Sequence, residues 1–118
     1  MSIDNVLASV AVKSLPEATA WYTRLLGKPP DSTPMPEVAE WKFARGGWLQ
    51  VYQLPERAGH GSFTLAVGNL DEMVATVQAL GVDTSGRGAN AQVKTLMITD
   101  PDGNHIAIAE AIDPRMAR

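Results

Sequence analysis

The chain has 118 residues, 45% hydrophobic and 19% charged, which suits one globular domain with a real core and excludes a disordered segment. A net charge of −3 with pI near 5.2, and no Lys/Arg run, excludes nucleic acid and anionic membranes as expected partners. Without cysteine there is no disulfide or thiolate chemistry, no apolar run reaches the ~18 residues of a membrane span, and the N-terminus lacks a signal-peptide pattern, so a cytoplasmic location is expected.

Val6 to Val12 is an apolar, valine-rich run that predicts a buried strand. Ser14 and Glu17 then have capping-box spacing, in which the hydroxyl accepts from an orphan amide of the first helical turn. Pro16 falls in that first turn, where its missing N–H costs nothing. Leu15, Ala18, Trp21, Tyr22, Leu25 and Leu26 follow at helical spacing, and Gly27 marks the stop. The proline-rich stretch Lys28 to Pro36 predicts a loop or an edge strand. Val38 to Ala44 and Trp48 to Leu54 predict two strands joined through Arg45-Gly46-Gly47, a hairpin signal.

The plan then repeats. Ala11-Val12-Lys13-Ser14-Leu15-Pro16-Glu17 returns 55 residues later as Ala66-Val67-Gly68-Asn69-Leu70-Asp71-Glu72. Ser62 to Val67 is the strand, and Asn69 with Glu72 is the cap pair. Leu70, Met73, Val74, Val77 and Leu80 form the apolar helical face, and Gly81 ends it. Val82 to Thr84 predicts a short strand and Ser85 to Asn90 a polar, glycine-containing loop. Ala91 to Thr99 and His105 to Ala111 pair across Asp100-Pro101-Asp102-Gly103-Asn104, which is dense in turn formers. Each half reads βαβββ, an α+β architecture. A single domain is expected over residues 1–112, with modules at about 5–55 and 60–111 and a tail at 113–118.

The doubled unit, the segment Trp21-Tyr22-Thr23-Arg24-Leu25-Leu26-Gly27 and the Asp-Pro-Asp-Gly-Asn-His-Ile stretch together resemble the vicinal oxygen chelate superfamily. That group includes glyoxalase I, bleomycin-resistance proteins and extradiol dioxygenases. The resemblance implies a cup-shaped mixed sheet with helices outside, a homodimer, and a small-molecule site often shared between subunits. It also implies four metal-ligand positions, on the first and last strands of each module, which fall here on Leu7, Gln50, Ser62 and Ala107. Leu7 and Ala107 carry no donor atom, Ser62 is a poor neutral ligand, and Gln50 alone cannot hold a divalent ion. No metal and no cofactor is therefore expected.

The cup is then expected to be lined by Leu7, Trp41, Phe43, Trp48, Gln50, Tyr52, Ser62, His105 and Ala107. Trp48, Gln50 and Tyr52 share one strand face, and Trp41 with Phe43 share a face of the strand before it. Glu110 has the opposite parity to Ala107 and should point away, while Asp100 and Asp102 serve their turn. No catalytic residue is assigned. The expected function is binding of an apolar or aromatic small molecule in the cup. The alternative is a metal-independent lyase, isomerase or hydrolase-like enzyme using His60, His105, Gln50 or Tyr52 to handle a proton. A third reading is an accessory subunit that keeps the fold without the site.

Overall fold

Both capping pairs start a helix where their spacing predicts. In the computed structural model, which describes residues 2–117, Ser14 accepts from the Glu17 N–H at 3.5 Å and opens α1 (Leu15–Leu26). Asn69 accepts from the Glu72 N–H at 3.2 Å and opens α2 (Leu70–Ala79). The strands are β1 (Leu7–Val12), β2 (Ser32–Met35), β3 (Val38–Lys42), β4 (Trp48–Gln53), β5 (Ser62–Ala66), β6 (Arg87–Ala89), β7 (Val93–Thr99) and β8 (His105–Ala111), with a 3₁₀ turn at Pro55–Arg57. They form two four-stranded mixed sheets, ordered β1-β4-β3-β2 and β5-β8-β7-β6. In each, the first and last strands of the module run parallel and the other pairs are antiparallel. The outer edges of β1 and β5 touch, so the sheets lie side by side. No helix among the described residues is long and apolar enough to cross a membrane.

Of two local expectations, one is met and one is corrected. The proline-rich stretch does contain an edge strand, β2, whose register against β3 is irregular. The short strand of the second half, however, lies not at Val82–Thr84 but at Arg87–Ala89, inside the stretch read as loop. Gly86 is there because β7 is too close for a side chain: a Cβ on it would stand 2.7 Å from the Met97 carbonyl oxygen.

Helices α1 and α2 pack on one face of the paired sheets and touch each other, with Arg24 donating to the Ala79 carbonyl at 3.1 Å. Alternation along the strands sends Val10, Val12, Leu49, Val51, Ile106 and Ile108 to that helical side, where a single apolar cluster spans both modules. Trp41 belongs to the cluster. It pairs with Leu49 across β3 and β4, shares that residue's face, and is fully buried. Its Nε1–H donates to the Lys28 carbonyl at 2.9 Å, and its ring lies 6.1 Å from that of Tyr22. The expectation that Trp41 lines the cup is therefore corrected: it is a core side chain.

One polar network is buried in the same layer. Asp100 is 4% exposed and Asn104 is 0% exposed. Asp100 Oδ1 accepts from the N–H groups of Asp102 and Asn104 at 2.9 Å each, closing the turn. Its Oδ2 accepts from the Tyr22 hydroxyl at 2.7 Å and from Asn104 Nδ2 at 2.8 Å. Asn104 Nδ2 also donates to the Ala11 carbonyl at 2.8 Å, while its Oδ1 accepts from the Gly61 N–H at 2.9 Å. One amide thus ties β1 of the first module to the entrance of β5 in the second. Gly59 is packed against the same turn, where a Cβ would stand 2.2 Å from the Asp102 carbonyl oxygen, and its φ of +85° also requires glycine.

Burial, and then the Asp100 carboxylate, push the Tyr22 phenol well above the ordinary tyrosine range. Unfolded Tyr22 loses its proton above pH ~10 while the folded residue keeps it, so stability falls as pH rises through that region. Urea unfolding is expected to show the native chain losing about 1.4 kcal/mol per pH unit from this group above pH ~10. Tyr22→Phe should be weaker by about 1–3 kcal/mol at pH 7, because Asp100 loses a donor, yet show a shallower alkaline decline. Parallel declines in the two proteins would contradict the assignment.

Candidate functional site

The face opposite the helices carries most of the residues expected in the cup. Register places Leu7 beside Trp48, Ser9 beside Gln50, and Ala11 beside Tyr52, with Glu40 on the other side of Gln50. In the second sheet, Ser62 lies beside His105 and Thr64 beside Ala107, with Met97 opposite Ala107. Leu7, Ser62 and His105 are exposed, and Trp48, Gln50, Tyr52 and Ala107 are half-buried. Glu110 points the other way, as its parity requires, and its Oε1 accepts from the Leu70 N–H at 2.8 Å at the start of α2.

A polar row crosses the open face of the first sheet. Ser9 Oγ donates to Gln50 Oε1 at 2.8 Å, Gln50 Nε2 donates to Glu40 Oε2 at 2.5 Å, and Ser32 Oγ donates to Glu40 Oε1 at 3.0 Å. Glu40 was not expected there. The signal was available in the strand alternation: once Trp41 is assigned to the core, its neighbours Glu40 and Lys42 must face outward.

Two cavities open along the seam between β1 and β5. The larger, about 850 Å³, lies where β1 begins and β5 ends. Its lining includes Leu7, Phe43 and Trp48, together with Leu25, Leu49, Phe63, Leu65 and Met73 and the polar Arg45, Thr64 and Glu110. Phe43 sits just beyond the end of β3, half-buried, with the Lys28 ammonium 5.7 Å from its ring centre. Thus the structure gathers three of the expected residues at this cavity and leaves Gln50, Ser62, His105 and Ala107 on the open face outside it. The smaller cavity, about 360 Å³, lies toward the other end of the seam and includes Tyr52 and His60 in its lining.

The duplication explains why the large cavity exists. Trp48 pairs with Leu7 as His105 pairs with Ser62, so residues 43–47 stand in the first module where residues 100–104 stand in the second. Gly47 thus replaces Asn104, Phe43 replaces Asp100, and Val77 stands in α2 where Tyr22 stands in α1. The polar tie that joins the modules at one end has no second copy at the other, and the large cavity occupies that place, with Val6, Gly47 and Ala66 in its lining.

At the four positions where the resemblance implies metal ligands, Leu7 and Ala107 carry no donor atom. Leu7 and Gln50 lie on one sheet, Ser62 and Ala107 on the other, and the Gln50 amide is already engaged by Ser9 and Glu40. Among the described residues, no three or more His, Asp or Glu side chains come together in a way that could hold an ion.

Known proteins agree with this architecture. The sequence profile described as the Glyoxalase/Bleomycin resistance protein/Dioxygenase superfamily matches residues 2–108. A glyoxalase/bleomycin resistance protein from Catenulispora acidiphila DSM 44928 is 36% identical, with 90% of this chain and 96% of that one covered and a TM-score of 0.80. TnmS3, an antibiotic binding protein from Streptomyces sp. CB03234, is 23% identical over 94% of this chain and 98% of its own, with a TM-score of 0.78. A bleomycin resistance determinant encoded on the transposon Tn5 is 14% identical over 92% and 98%, with a TM-score of 0.71, and these last two show the shared fold alone. No curated protein sequence matches significantly. With the profile spanning nearly the whole chain, this protein belongs to the glyoxalase/bleomycin resistance protein/dioxygenase superfamily.

Proposed function

We propose that this chain is a cytoplasmic, homodimeric small-molecule-binding protein that holds an apolar or aromatic ligand in its cup without a bound metal. The observation that carries this reading is the 850 Å³ cavity at the edge of the cup, where Leu7 and Trp48 of the open face meet Phe43, Phe63, Leu25 and Met73. That volume and composition are those of an ordinary small-molecule site. Aromatic walls favour flat ligands, because ring stacking adds to area burial. Two proteins of the same fold are named for antibiotic binding and bleomycin resistance, which supports a binding role for this architecture.

The enzymatic alternative gains no support from the histidines. A general base needs an orienting partner, and neither the His60 nor the His105 side chain has a hydrogen-bond partner among the described residues. The homodimer is supported by Leu7, Met35 and Met97, which are 44%, 54% and 48% exposed on the uncovered face. Apolar side chains gathered on one face favour an interface.

Thermal unfolding of metal-stripped protein is expected to be unmoved by nickel, zinc or manganese and raised by flat aromatic compounds. A compound that raises the midpoint should quench tryptophan fluorescence in the native chain but not in Trp48→Phe, since Trp41 is sealed in the core and Trp21 lies on the helix. A midpoint raised by metal alone, or quenching retained in Trp48→Phe, would overturn the reading. Sedimentation equilibrium should give twice the chain mass of 12.6 kDa, and Met97→Lys should shift it toward the single chain.

A further inference from the structure

The lining of the smaller cavity includes Ser9 and Tyr52 from the open face, Val10 and Ala11 of β1, and Glu56, Arg57 and His60 from the segment that connects the modules. Among the described residues, the Arg57 and His60 side chains and the Tyr52 hydroxyl have no hydrogen bond or ion pair. That contrasts with Arg24, Arg87 and Arg115, whose guanidinium groups all meet an oxygen. Three groups able to donate thus line one cavity of about 360 Å³, and no protein group among the described residues, the Glu56 carboxylate of the same lining included, engages them.

The segment that carries two of them is fixed at both ends. Leu54 N–H donates to the Val12 carbonyl at 3.0 Å, and the 3₁₀ turn is closed by Arg57 N–H to the Leu54 carbonyl at 3.0 Å. Further on, Gly59 is wedged against Asp102 and Gly61 N–H is held by Asn104. The backbone that presents the donors is therefore set before any ligand arrives, which lowers the ordering cost of binding.

We propose that this cavity is a second site, which binds the carboxylate of a small monocarboxylic acid through Arg57, His60 and the Tyr52 hydroxyl. A guanidinium fork matches a carboxylate in two parallel hydrogen bonds, and a phenol adds a third donor. Glu56 lines the same cavity and sets the limit: its negative charge opposes a dicarboxylate or a phosphate dianion and tolerates a single charge. The site stands independently of the aromatic ligand proposed for the large cavity.

The two histidines supply an internal control, since His60 lines the cavity and His105 does not. Acetate, benzoate and phthalate are titrated at constant ionic strength while the ring carbon-bound proton signals of both histidines are followed by NMR. The His60 signal should move and saturate with benzoate and acetate, more weakly with phthalate, while His105 stays in place. Arg57→Gln alters an exposed side chain and should keep the unfolding midpoint while weakening benzoate about tenfold. Equal movement of both histidines, an unsaturated response, a response to methylammonium instead, or undiminished binding by Arg57→Gln would each overturn the proposal.

Discussion

The buried carboxylate of Asp100 is the constraint around which the fold is arranged. A carboxylate at 4% exposure is costly unless its lone pairs are met, and here four donors meet them. Two come from the backbone of its own turn, one from Asn104, and one from Tyr22 on the other module's helix. Each partner is held in turn: Tyr22 by aromatic contacts with Trp21, Trp41 and Phe63, and Asn104 by Ala11 and Gly61. No buried side-chain nitrogen or oxygen among the described residues lacks a partner. The turn therefore does more than reverse the chain between β7 and β8. It positions β1 against β5 at a place where no ladder of strand hydrogen bonds joins them.

That junction decides what the open face can offer. With both helices on one side, every strand sends alternate residues to a face covered by nothing in the chain. On the first sheet the result is a satisfied polar row, Ser9, Gln50, Glu40 and Ser32, flanked by Leu7 and Trp48 toward one cavity and Tyr52 toward the other. Chemistry that needs a charged metal has no footing in Leu7 and Ala107. The two functions proposed above rest instead on shape and on a few fixed donors, one at each end of the seam.

Much of this was legible in the residues. The repeat, both capped helices and six of the eight strands followed from periodicity and turn chemistry, because those signals are local, while β2 was left open between loop and edge strand. What escaped depends on contacts between distant residues. Trp41 was expected in the cup because aromatic character suits a ligand wall; its register beside Leu49, which decides its face, requires the pairing of β3 with β4. Glu40 was missed by the same error. β6 was read as loop because Gly86 and Gly88 are turn formers, whereas Gly86 allows close approach of β7. His60 was weighed alone as a proton carrier, whereas its place beside Arg57 and Tyr52 at one cavity arises only when the connecting segment packs against β1.

The loss of symmetry between the two turns has a mechanical consequence. Asn104 rivets the modules at one end of their seam, and the corresponding position at the other end, Gly47, has no side chain with which to do the same. The two sheets therefore have a pivot of directed hydrogen bonds at one end of the seam, while at the other a cavity opens among largely apolar side chains. Apolar contact is tolerant of small displacements in a way that a fixed hydrogen-bond angle is not. A displacement at the cavity end would turn the modules about the rivet, away from Asp100 and its partners. A duplicated fold that keeps only one of two fasteners has one end set by hydrogen-bond geometry and one end free of it.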